Sequence, residues 1–145
     1  MRLRVAWIGK TKEAAIQSLT AEYLKRIARY VPVESHELRS ESALLDLVKA
    51  ERTRPVLVLL DSRGKQLSSE ELAELLRDHQ DRGTQTLIFA IGPADGWNEE
   101  TRRAAAFTLS MGRMTLAHEL ARVVLLEQVY RGFTILKGHP YHSGH

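Results

Sequence analysis

Apolar and polar positions in this chain switch repeatedly between two periods. Leu3 to Ile8 is an apolar run of strand length, and Lys12 to Tyr30 then places Ala15, Ile16, Leu19, Tyr23, Leu24 and Ile27 near helical spacing, with Thr11 positioned as the N-cap. Pro32 to Leu38 alternates and predicts a short strand; Glu41 to Ala50 predicts a helix. Pro55 to Leu60 is wholly apolar, as a central strand of a parallel sheet must be when both its faces are covered. Ser68 and Glu71 have the spacing of a capping box and open a helix that ends near Arg82. Thr86 to Ile91 is a second buried strand, Asn98 caps a helix over Glu99 to Ala106, and Phe107 to Ser110 is a short strand. After the turn Ser110 to Thr115 comes a nearly continuous apolar helix, Leu116 to Leu136, which must be buried around most of its circumference. The alternation predicts an α/β domain over residues 1–145, with a mostly parallel sheet and helices on both faces.

Composition narrows the class. A chain of 145 residues buries roughly 68–70% of its unfolded surface without a partner. The absence of cysteine excludes disulfides, thiolate zinc sites and a cysteine nucleophile, and fits a reducing compartment. The opening apolar run is too short for a signal peptide or a membrane span, so the expectation is a cytoplasmic protein that is not in the membrane. Charge is uneven: residues 1–30 hold seven Lys or Arg against two acids, residues 31–109 ten against fourteen, and residues 110–145 four against two. Basic ends around an acidic middle suit an anionic partner such as nucleic acid, although solvated helix faces give the same pattern.

Ligands of such sheets bind beyond the carboxyl ends of the strands. Three loops qualify: Leu60 to Lys65, Gly92 to Gly96, and Ser110 to Thr115. Other motifs fail. Gly9-Lys10-Thr11 resembles the end of a phosphate-binding loop, but Arg4 stands where that loop needs its first glycine. Gly92 to Gly96 lacks the dinucleotide spacing, and His118-Glu119 meets Arg122 where a zinc protease needs a second histidine. Four of the six histidines lie at 118, 139, 142 and 145, yet no cysteine or carboxylate cluster completes a metal shell, so no metal is expected. Glu127 and Arg131 are four apart, in the favourable order for a helix ion pair.

Taken in order, Arg113 to His118, Arg122 to Arg131 and His139-Pro140-Tyr141-His142 resemble the signature of the RlmH (YbeA) family of the SPOUT superfamily, S-adenosylmethionine-dependent rRNA methyltransferases. Gly9-Lys10, Leu60-Asp61 with Gly64-Lys65, and Ile91-Gly92 extend the resemblance over essentially the whole chain. It implies methylation of N3 of a pseudouridine in helix 69 of 23S rRNA within the assembled ribosome. It also implies a homodimer and a deep trefoil knot, with knot and cofactor site at about residues 85–145. The cofactor positions carry over as Leu60, Gly92, Met111, Gly112, Arg113, Met114, Thr115 and Leu116; Tyr141, His142 and Arg131 become the catalytic residues. His118, Arg122, Lys25, Arg26 and Arg29, with Lys12, become the expected RNA contacts. A SPOUT enzyme acting on another RNA such as tRNA, and a non-catalytic dimeric RNA- or ribosome-binding module, are the alternatives. The chain departs from the family in Pro93, which replaces a glycine and removes a backbone donor, and in the terminal Ser143-Gly144-His145.

Overall fold

A computed structural model of the chain describes residues 1–93 and 95–142, so the terminal Ser143-Gly144-His145 lies outside the described residues. Strands β1 (Arg2–Ile8), β2 (Val33–Leu38), β3 (Val56–Gln66), β4 (Thr86–Ile91) and β5 (Phe107–Ser110) form one sheet in the order β2-β1-β4-β3-β5. Every pairing is parallel. Helices α1 (Ala14–Ile27), α3 (Ser69–Asp81) and α5 (His118–Leu136) cover one face, with α5 packed against both α1 and α3. Helices α2 (Glu41–Lys49) and α4 (Glu99–Ala104) cover the other. All six residues of β4 are buried, which explains its uninterrupted apolar run: it has strands on both sides and helices on both faces. Alternate side chains divide between the two cores. Leu87, Phe89 and Ile91 meet Leu125, Val129 and Phe133 beneath α5, while Ile88 and Ala90 meet Leu44 and Trp97 on the opposite side.

The expected elements are present, with three informative differences. The first helix begins at Ala14, and Glu13 occupies its N-cap position without a side-chain bond. Thr11 does not cap it, because its hydroxyl donates to Glu37 Oε1 at 2.8 Å and accepts from Arg122 Nη1 at 2.7 Å. The long-range partners outcompete the local cap. Next, β3 does not stop at Leu60: both Leu60 and Lys65 pair with Leu109, so Asp61 to Gly64 loop out of a strand that then resumes. Gly64 is required there, since a Cβ would lie 2.7 Å from the backbone carbonyl of Thr108. Finally, α5 starts at His118 rather than Leu116, leaving 111–117 as an open loop. The expected caps elsewhere are formed: Ser68 and Glu71 make the reciprocal capping box of α3, and Asn98 accepts from the Thr101 N–H at the start of α4. Among the described residues no helix is long and apolar enough to cross a membrane.

Candidate active site

The three loops singled out from sequence converge. Beyond the carboxyl ends of β3, β4 and β5 they line one cleft of about 340 Å³ with Leu60, Gly92, Met111, Gly112, Met114, Thr115 and Leu116 in its walls. That volume is in the range of small-molecule sites. Arg113 is the one expected cofactor residue outside the lining; its side chain is exposed. The walls also include Asp61, Trp97, Leu109, His118 and Ala121. Ser110 shapes the last loop, its hydroxyl accepting from the Gly112 N–H at 3.2 Å and donating to the Gly112 carbonyl at 2.9 Å. Met114 stands 85% exposed at the rim. Apolar walls interrupted by backbone groups and glycines suit a flat aromatic ligand with polar edges.

His118 opens α5 at the cleft wall. Burial, and then the nearby Arg122 guanidinium, pushes its imidazole below the ordinary value, so it is neutral at pH 7. Asp61, at the mouth, is paired with Arg102 of α4 at 2.5 Å. Trp97, which sequence reasoning passed over, donates its indole N–H to the Leu60 carbonyl at 2.8 Å. An isolated tryptophan after a Gly-rich turn carries no periodicity that would mark it.

A second cluster lies farther along α5. Arg131 Nη2 holds Glu127 Oε2 at 2.7 Å, and the Tyr141 hydroxyl donates to the same oxygen at 2.8 Å. The Tyr141 ring meets Tyr130 edge-on at 4.7 Å, and the Arg131 guanidinium sits 5.2 Å from its centroid. The tail is turned back onto the helix by a 3-10 turn, Pro140–His142, in which the Tyr141 N–H donates to His139 Nδ1. Burial, then hydrogen bonds to Tyr23 and Glu127, raise the Tyr141 phenol well above its usual range. His142 is half-buried, and its Nδ1 has no hydrogen-bond partner among the described residues. Thus Tyr141 and Arg131 come together on Glu127, the helix-pair partner of Arg131 marked in the sequence, and His142 follows Tyr141 in the same turn. They do not meet the cleft within one chain: Arg131 is thirteen residues beyond His118 in α5, about 20 Å along the helix axis.

Of the expected RNA contacts, Lys12, Lys25 and Arg29 are exposed. Arg26 is half-exposed, tied to Glu22 at 2.7 Å and lying over Tyr23 and Tyr130. Arg122 is different. It is 1% exposed, stacked 3.8 Å over the Trp7 ring and bonded to Thr11, so within one chain it has no face to offer RNA. Among the described residues no group of three or more histidine or acidic side chains is arranged to hold a metal ion.

A sequence-family profile described as "Predicted SPOUT methyltransferase" matches residues 1–142. The chain belongs to the SPOUT methyltransferase family. This SPOUT chain is 67% identical over 146 residues to "Ribosomal RNA large subunit methyltransferase H" of Koribacter versatilis (strain Ellin345), covering all of both proteins. It is 45% identical to the protein of the same name from Geobacter sp. (strain M21), covering 98% of this chain and 99% of that one. Among solved structures, the SpoU methyltransferase AviRb of Streptomyces viridochromogenes, crystallised with AdoMet, is similar in fold. It has a TM-score of 0.56 at 18% identity, over 90% of this chain and 57% of that one.

Proposed function

We propose that this SPOUT methyltransferase uses S-adenosylmethionine to methylate large-subunit rRNA, at N3 of a pseudouridine in helix 69 of the assembled ribosome, in the cytoplasm. The observation that carries the methyl-transfer reading is the convergence of the three strand-end loops on one cleft lined by Leu60, Gly92 and residues 111–116. Its relatives named for large-subunit rRNA methylation support the substrate. The cofactor fits what the cleft offers: apolar Leu60, Leu109 and Leu116 for the purine faces, and backbone groups of Gly92 and Gly112 for its edges. When bound there it supplies an electrophilic methyl group on sulfonium sulfur. The chain's part is to place the base in line and let N3 lose its proton.

The protein's own residues divide that work. Tyr141, with its raised phenol, holds its proton at neutral pH and therefore orients rather than deprotonates. Glu127 fixes the Tyr141 oxygen and the Arg131 guanidinium together, leaving other Arg131 donors for uracil or phosphate oxygens. In this reading, acceptance of the N3 proton falls to His142, the tail imidazole that follows Tyr141 in the same turn.

The separation of this cluster from the cleft supports a homodimer in which the tail of one subunit completes the cleft of the other. Leu120 on α5 and Leu19 on α1 remain 46% and 43% exposed, apolar surface that a second copy would cover. A C-terminal trefoil knot accords with the path: β5 lies outside β3, yet the chain returns past α3, where Ser69 Oγ donates to Gln128 Oε1, to reach α1. Lys12 before α1, and Lys25 and Arg29 with Arg26 at its far end, are the cations assigned to rRNA phosphate.

Labelled S-adenosylmethionine incubated with undermethylated ribosomes, and separately with tRNA, tests the reading by mass-spectrometric mapping of the label. Label on a helix 69 pseudouridine is expected. Label on tRNA alone, or cofactor binding with no transfer, refutes the assigned target.

A further inference from the structure

Trp97 joins two walls of the cleft. Its indole is buried in the smaller core with Leu57, Leu59 and Ala90, while part of the side chain lines the cleft. Its Nε1 donates to the Leu60 carbonyl at 2.8 Å. The same ring lies so close to Gly92 that a Cβ added there would be 2.6 Å from Cε2 and 2.7 Å from Cζ2. Glycine is therefore demanded at 92 by the indole itself. The segment carrying the ring is held at both ends, by the Gly96 N–H to Pro93 carbonyl bond and by the Asn98 cap of α4. A single side chain thus connects the end of the straight part of β3 to the residue that follows β4. It also occupies one lone pair of the Leu60 carbonyl.

We propose that Trp97 is a positioning residue that sets cofactor specificity: by bridging Leu60 and Gly92 it fixes the width of the slot for the purine and the direction of the Leu60 carbonyl at its edge. The inference rests on reading this cleft as the S-adenosylmethionine site. Nothing else in the described cleft walls ties the β3 and β4 loops by both a hydrogen bond and a ring contact. The mechanism predicts discrimination by the purine edge. A carbonyl accepts from the exocyclic amine of adenine but meets an oxygen in hypoxanthine.

Calorimetry with S-adenosylhomocysteine and with S-inosylhomocysteine tests this on the native chain and on Trp97→Phe, which keeps a ring over Gly92 and loses the N–H. The native chain should prefer the adenine ligand. Trp97→Phe should weaken that ligand about tenfold, while weakening the hypoxanthine ligand by less than about twofold. Unchanged affinity for the adenine ligand, or an equal loss for both ligands, overturns the proposal, since a residue that only fills space cannot read the purine edge. Indole emission of the native chain gives a measurement free of any folding defect in the variant. It should shift as S-adenosylhomocysteine is titrated, because Trp7 is shut away behind Arg122 and only Trp97 borders the cleft. Saturable calorimetric binding with no emission change overturns the role of Trp97 alone. Absence of any binding to the native chain defeats the cofactor reading and the inference together.

Discussion

Tyr141 acquires its character from its neighbours. A phenol in water ionises near pH 10, whereas here burial and the hydroxyls and carboxylate around it make the ionised form costlier. Its hydrogen bond to Glu127 places the oxygen, and the bond from Arg131 places the carboxylate. Tyr141→Phe removes one charge-assisted hydrogen bond, so methyl transfer to ribosomes should slow by about 10- to 100-fold. Cofactor affinity, read by calorimetry, should change by less than about twofold because the phenol is assigned to the base and not to the cofactor. Glu127→Gln should do the same, since an amide holds the Arg131 guanidinium only weakly. Arg131→Lys should not restore activity, because an ammonium cannot reproduce the planar fork. If Tyr141→Phe weakened cofactor binding as much as it slowed transfer, the phenol would belong to the cofactor site instead.

At the scale of elements, the first turns of α5 are locked to the loop between β1 and α1. Arg122 reaches Thr11, Glu119 accepts from the backbone N–H groups of Lys12 and Glu13, and Glu37 gathers Trp7 and Thr11 from β2. Since His118 and Ala121 of the same turns line the cleft, this lock holds the cleft wall in place. Arg122→Ala removes a fully buried side chain and its stack on Trp7, and should cost about 3 kcal/mol in chemical denaturation. Charge reversal of the exposed Lys25 and Arg29 should leave stability nearly unchanged but weaken ribosome binding and flatten its salt dependence. An Arg122→Ala chain as stable as the parent would return that residue to the RNA contact expected from its sequence. Strands, helices, the Ser68 capping box and the three cleft loops were legible because each leaves a local pattern of period, cap or breaker. The Thr11, Trp97 and Arg122 contacts were not. Each depends on partners such as Glu37, Leu60 and Trp7, brought close only by the order of the strands.

For the whole molecule, half-buried histidines in three separate regions shift in one direction. His36 beside Arg4, His79 beside Arg82 and His118 beside Arg122 are all held below the ordinary imidazole value, first by burial and then by the adjacent guanidinium. When the folded state has the lower value, the unfolded chain binds more protons across the window between the two, so stability rises with pH there. Their contribution is complete above about pH 6.5 and drains away as pH falls below it. Carboxylates act lower on the scale. Glu37, held down by the Trp7 and Thr11 hydrogen bonds, and Glu71, held down by Ser68, stabilise the fold above the usual carboxylate range and cease to do so as pH falls through their lowered values. Thermal unfolding should therefore show two acid steps. Between pH 7.5 and 5.5 the melting temperature should drop by an amount on the order of a few degrees. A chain carrying His36→Gln, His79→Gln and His118→Gln should lose most of that first step while keeping the second, because the carboxylates and their hydrogen-bond donors are untouched. A first step of undiminished size in the triple variant would assign it to other groups, and the charge balance of the folded chain near neutrality would not rest on these three imidazoles.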